Sequence, residues 1–215
     1  MTFALIFIFG LAIGSFLNVC IYRIPRDESL VFPGSRCAAC KKLIKWYDNI
    51  PLLSYVFLKG KCRACKAKIS PRYFFVELIS AISFLILFMN FGFHYIFWIY
   101  SLLTFSLIIV TFIDLEFQII PDRISLVGIF IGVIFSIVFP GLQSAFTWKR
   151  AFLNSIIGAL AGGGLIYLTG VLGQLAFKKE SMGGGDVKLM AMLGAFLGWK
   201  MIVLIFFLAP FFGTP

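Results

Sequence analysis

Six long apolar runs decide which solvent this chain can fold in. They lie roughly at residues 3–22, 73–91, 95–113, 125–140, 152–177 and 187–213. About 20 residues at about 1.5 Å each give about 30 Å, the thickness of a bilayer's hydrocarbon core. Charged residues make up 13% of the chain and hydrophobic ones 61%, where soluble domains carry about 25% charged residues. A water-soluble fold has no means of hiding that much apolar surface, and lipid needs none. The expected fold is an all-α polytopic membrane protein with about six or more transmembrane helices. The first run has no basic stretch before it and no small-residue cleavage site after it, so it reads as a retained span rather than a signal peptide. Gly198-Trp199-Lys200 interrupts the last run and predicts a break there. The chain stops at Pro215 in an apolar context, which suggests an incomplete last helix.

The polar residues are concentrated. Residues 23–72 hold twelve Lys and Arg against Asp27, Glu28 and Asp48. The whole chain carries a net charge of +10. In a membrane protein such an excess marks cytoplasmic loops beside anionic head groups, so the lipid bilayer is the expected partner and nucleic acid is not. Alternation from a cytoplasmic 23–72 puts 114–124 and 178–186 on the same side, and 92–94 and 141–151 outside. Arg123, Lys178 and Lys179 agree with this; Lys149 and Arg150 oppose it. The chain thus divides into a first transmembrane helix (1–22), a cytoplasmic four-cysteine loop domain (23–72) and a multi-helix transmembrane part (73–215).

Two CxxC pairs lie in that loop, Cys37-Ala-Ala-Cys40 and Cys62-Arg-Ala-Cys65. Four thiolates suit a tetrahedral zinc ion, and each CxxC turn supplies two. A site filled by four protein ligands is structural, not catalytic. Arg36, Lys41, Lys61, Arg63 and Lys66 are expected to favour the thiolate form. The alternative is a redox or free thiol pair. Cys20, inside the first run, reads as a buried small hydrophobe.

Of the nine acids, Asp27, Glu28, Asp48 and Glu180 sit in polar segments and read as solvated. Glu77, Asp114, Glu116, Asp122 and Asp186 lie within or at the ends of apolar runs, where an ionisable group is a functional candidate by default. Asp122 and Asp186 can instead be helix N-caps, Asp114 an interfacial charge paired with Arg123, and Glu77 a partner of Arg72 or of a lysine at the bilayer edge. The functional reading pairs Asp114 with Asp186. Two close carboxylates share a proton; the ionised one activates water while the protonated one polarises a peptide carbonyl. Gly183, Gly184 and Gly185, just before Asp186, would let an extended substrate approach the backbone. His94 reads as interfacial.

Several stretches resemble bacterial type IV prepilin peptidases, a family of membrane-embedded GxGD aspartic proteases. They are Gly14-Ser15-Phe16-Leu17-Asn18-Val19-Cys20-Ile21-Tyr22-Arg23-Ile24-Pro25, Asn49 to Tyr55, Gly60 to Cys65, Ile69 to Tyr73 and Val76-Glu77. The run from Ile113-Asp114 to Pro121-Asp122 resembles the family's first aspartate motif, and Met182 to Leu189 its GxGD motif. The resemblance covers nearly the whole chain in order. It implies cleavage of the short basic leader of prepilins or pseudopilins after a glycine, on the cytoplasmic side of the inner membrane. It also implies N-methylation of the new N-terminal residue with S-adenosylmethionine. Carried over by residue, Asp114 and Asp186 are the catalytic pair, 73–215 the peptidase part, and the loop with Gly60 and Lys61 the methyltransferase region. A peptidase-only relative and a zinc-loop docking module on a membrane anchor remain the alternatives. An ion transporter would place acids near mid-span and show repeats, and these acids lie at span ends.

Overall fold

The structure is a computed structural model that describes residues 1–177 and 183–213. The expectations for Lys178, Lys179 and Glu180 fall outside the described residues. Among the described residues seven α-helices follow in order: α1 (Thr2–Arg23), α2 (Leu53–Phe57), α3 (Arg72–Phe91), α4 (Tyr95–Phe117), α5 (Asp122–Val138), α6 (Trp148–Phe177) and α7 (Gly184–Gly213). Among the described residues two isolated bridges are the only β-pairings. Among the described residues five helices, α1, α3, α4, α6 and α7, are long and apolar enough to cross a bilayer. The fourth apolar run forms α5, which at 17 residues sits at the short end of the roughly 17–25 that span. Phe130, Leu175 and Phe207 point outward, as side chains solvated by lipid do. The chain is a polytopic, all-α membrane protein.

The chain divides into two compact units, Met1–Gln118 and Ile119–Pro215. In the first, α1 lies against α3 at two glycines one turn apart. A Cβ on Gly10 would stand 2.7 Å from the Ala81 Cα, and one on Gly14 2.7 Å from the Glu77 Cα. Small residues at this spacing let two membrane helices touch backbone to backbone, where packing rather than water drives association. Leu17, Ile21, Val76, Ile108 and Ile113 form the core at one end; Ile6, Phe84 and Phe97 form it at the other. Asn18, 2% exposed, donates from Nδ2 to the Tyr73 carbonyl at 3.0 Å and ties α1 to the start of α3.

In the second unit, α6 and α7 meet even more closely. A Cβ on Gly158 would meet the Gly194 carbonyl, one on Gly194 the Gly158 carbonyl, and one on Gly162 the Met190 carbonyl. The break expected in the last run falls at Gly198, whose φ of 78° and ψ of 168° interrupt α7. Such a break strips helical partners from preceding carbonyls, and in lipid an unpaired carbonyl is costly. Buried side chains supply the bonds. Gln143 Nε2 donates to the Ala195 and Phe196 carbonyls at 3.0 and 3.1 Å, and Ser155 Oγ to Ala195 at 2.7 Å. The kink is thereby fixed, and with it the direction of the half-helix that begins near Asp186.

Candidate functional site

The loop between α1 and α3 folds its cysteines into two like turns. The Lys41 N–H donates to the Cys37 carbonyl at 2.9 Å and the Cys37 N–H to the Lys42 carbonyl at 3.0 Å. The second turn repeats this, with Lys66 to Cys62 at 3.0 Å and Cys62 to Ala67 at 2.9 Å. Lys41 and Lys66 are both left-handed, φ 56° and 60°, and each turn closes with a bridge, Arg36 to Leu43 and Lys61 to Lys68. The signal was present in the sequence: Arg36-Cys37 to Leu43-Ile44 aligns with Lys61-Cys62 to Lys68-Ile69. The four Sγ atoms lie within 4.8 Å of one another, Cys37 and Cys65 at 3.9 Å. Metal–sulfur bonds of about 2.3 Å in a tetrahedron require S···S edges of about 3.8 Å. The cluster can hold a metal ion.

Amide groups, more than basic side chains, tune these thiols. The N–H groups of Cys65 and Ala64, pointing at the Cys62 sulfur, lower its pKa to about 6. At Cys65 the Ala67 N–H pulls down, but desolvation and the neighbouring thiols of Cys40, Cys62 and Cys37 prevail and push it up to about 11. Arg63, expected beside the thiolates, instead grips Asp48 with Nε at 2.9 Å and Nη2 at 2.6 Å. The Asp48 carboxyl is held below its ordinary range by that guanidinium, so Asp48 is paired rather than simply solvated.

Gly60 and Lys61 open the second turn. Gly60 has φ +64°, and a Cβ there would lie 3.0 Å from the Tyr55 hydroxyl; glycine is favoured both by conformation and by space. Lys61 is exposed.

Asp114 lies in the last turn of α4 and is exposed. The helix ends on a left-handed Gln118, whose N–H donates to the Asp114 carbonyl at 2.8 Å. A carboxylate at a helix C-terminus opposes the helix dipole, and the Asp114 carboxylate has no hydrogen bond or ion pair among the described residues. No local structural need accounts for it. Its neighbour Glu116 pairs with Arg72. The expected Arg72 partner, Glu77, is engaged elsewhere and accepts the Leu52 N–H at 2.8 Å. Arg26 covers the rings of Tyr22 and Phe117, 4.0 and 4.9 Å from their centroids.

In the second unit, Asp186 is half-buried in the first turn of α7. Its N–H bonds the Gly183 carbonyl at 3.2 Å. Because α7 begins at Gly184, Asp186 stands inside the helix and not at its N-cap, and its carboxylate has no partner among the described residues. Asp122 is not an N-cap either; that position is Pro121. Its two carboxylate oxygens take Lys188 Nζ at 2.7 and 2.8 Å. The glycines differ. A Cβ on Gly185 would stand 2.8 Å from Ile120 Cβ, so Gly185 serves packing, whereas a Cβ on Gly184 would meet nothing within 4 Å and one on Gly183 would make ordinary contact with Asp186 Oδ2 at 3.5 Å and the Gly185 nitrogen at 3.9 Å.

Residues 8–91 match the family model of the Bacterial Peptidase A24 N-terminal domain, and residues 101–215 that of the Type IV leader peptidase family. The chain belongs to the type IV leader peptidase family. Similar relatives of this family include a prepilin leader peptidase/N-methyltransferase of Myxococcus xanthus (strain DK1622), 38% identical over 204 residues. That match covers 92% of this chain and 57% of the relative. Proteins of the same name from Neisseria gonorrhoeae and Klebsiella pneumoniae are each 36% identical. The matches cover 96% of this chain and 78% of the first relative, and 92% and 86% for the second. The chain therefore spans little more than half the length of the Myxococcus protein and most of the other two. No solved structure matches it.

Proposed function

We propose that this leader peptidase family member cleaves the leader of type IV prepilins or pseudopilins after a glycine, at the cytoplasmic face of the inner membrane, and then N-methylates the new N-terminus. The observation that carries the proposal is the ordered match of both family models across the chain. Asp114 and Asp186 are the proposed catalytic carboxylates. Each ends or begins a membrane helix, and neither is spent on a structural bond among the described residues. One, ionised, takes a proton from water; the other, protonated, hydrogen-bonds the scissile carbonyl oxygen as negative charge gathers there, and later protonates the leaving amine. The open backbone at Gly183 and Gly184 suits an extended peptide lying beside Asp186, and Gly185 holds the turn against Ile120.

Cys37, Cys40, Cys62 and Cys65 are proposed as the ligands of a structural zinc. Their sulfur spacing fits, and the chain uses all four, leaving no open coordination position for chemistry. S-adenosylmethionine, when bound, would supply the transferred methyl group. The loop's contribution would be to orient the free N-terminal amine, with Gly60 and Lys61 as the residues that resemblance marks for this role.

The test is cleavage of a prepilin by the purified, detergent-solubilised protein. Asp114→Asn and Asp186→Asn should each lower cleavage by about a thousandfold or more without loss of fold, as removal of an essential acid–base partner does. If both folded variants cleave like the parent, the carboxylates are not catalytic. A methylated product that appears only with the methyl donor would show the second activity.

A further inference from the structure

Glu77 is a buried carboxylate in a membrane helix, 8% exposed. The single basic residue of α3, Arg72, is given to Glu116. An ionisable group in such a position is costly and needs a compensating contact. That contact is to the cysteine loop. The Leu52 N–H donates to Glu77 Oε2 at 2.8 Å. The Glu77 backbone has little freedom, because Gly14 of α1 lies against its Cα. Leu52 is itself unusual, with φ 57° and ψ −50° immediately before α2. A leucine with positive φ persists only where its surroundings hold it there, and a hydrogen bond from its amide to a carboxylate does so.

From Leu52 the constraint runs through one short helix to Gly60 and Lys61. Tyr55 of α2 rests its ring on Phe74 of α3, centroids 5.7 Å apart, so α2 is fixed to α3 at its start and at its middle. The Tyr55 carbonyl accepts the Gly60 N–H at 2.9 Å, and the Leu58 carbonyl the Lys61 N–H at 3.0 Å. Gly60 passes the constraint on, its carbonyl accepting the Ile69 N–H at 2.7 Å. All of these residues lie in the first unit.

We infer that Glu77 is a positioning residue for methyl transfer: from within α3 its carboxylate holds the Leu52 amide and, through α2, sets Gly60 and Lys61 in place. This rests on the methyltransferase reading above. The prediction separates two variants. Glu77→Leu removes the acceptor; Glu77→Gln keeps an oxygen for the Leu52 N–H and loses only the charge.

The full-length, detergent-solubilised protein would be assayed for prepilin cleavage and N-methylation, with amide hydrogen exchange followed across residues 52–61. Glu77→Leu should lower methyl transfer about tenfold or more, as loss of a supporting contact does, with cleavage within about twofold of the parent. Exchange across 52–61 should quicken in Glu77→Leu, and Glu77→Gln should restore most of the methylation and the protection. Unchanged methylation in Glu77→Leu, a parallel loss of cleavage, or a Glu77→Gln variant as poor as Glu77→Leu would each overturn the inference. If the parent cleaves but never methylates, the methyltransferase reading fails by itself. The anchor is then judged by exchange, with equal protection in parent and Glu77→Leu overturning it.

Discussion

Residues 24–71 bury no side chain at all, whereas along α6 and α7 two backbones touch through Gly158, Gly162 and Gly194. The loop has no core, so its order comes from a few point constraints: four sulfurs within reach of one ion, two repeated turns, an ion pair, and the Glu77–Leu52 bond. The helix pair has no charge at its crossing, so its order comes from contact area and from polar side chains that satisfy the broken helix at Gly198. A loop of point constraints should fail abruptly when one is removed. A packed helix pair should lose stability in proportion to how far its surfaces are forced apart.

The sharpest way to break this contrast is to remove the metal ion proposed for the cysteine cluster. Chelation, or Cys62→Ser, should unfold the loop while leaving the helical content of the membrane spans intact. Structural metal sites of this kind contribute about 10 kcal/mol to the folding of small domains. Limited proteolysis within 24–71, read beside circular dichroism and metal content, checks it; a loop that stays protected without metal would show that the cysteines are not its staple.

The second test forces the helix pair apart. Gly194→Leu places a side chain where the Gly158 carbonyl now lies and should cost about 3 kcal/mol, the upper end for overpacking. Thermal unfolding in detergent measures it, and metal content should stay at the parent level because the cysteine loop lies in the other unit.

The smallest effect sharpens the contrast inside the loop. Asp48, its pKa depressed by Arg63, contributes stability that is present above its unfolded pKa and lost as pH falls through its lower folded value. Asp48→Asn should remove that part of the loop's acid sensitivity while changing little at neutral pH, because solvent screens a pair at the surface. Proteolytic sensitivity of the loop between neutral pH and pH values below the usual carboxylate range reads it; identical acid profiles would show that the pair is incidental.

Much of this was legible in the sequence because it depends on local pattern. Apolar run length locates the helices, CxxC spacing brings the four sulfurs together, and Gly198-Trp199-Lys200 marks the break in α7. The pairings were not legible, because they join residues far apart in the chain. Lys188 finds Asp122 only once α5 and α7 are packed. Arg72 chooses Glu116 over Glu77, five residues along its own helix. The carboxylate Glu77 then turns to a loop amide, and no periodicity signals that choice. The N-cap expectation for Asp186 missed by one turn, because Gly184 and Gly185 enter the helix rather than precede it.

The two cysteine turns share one backbone form, yet they present different chemistry at their openings: Ser35-Arg36 in one, Gly60-Lys61 in the other. A duplicated scaffold frees its copies from each other. With one ion able to serve both, one copy can hold the frame while the other is free to change. Symmetry in the fold is in this sense a record of where divergence was permitted, and the left-handed glycine that begins the second turn, with no counterpart in the first, is the point at which the two copies differ.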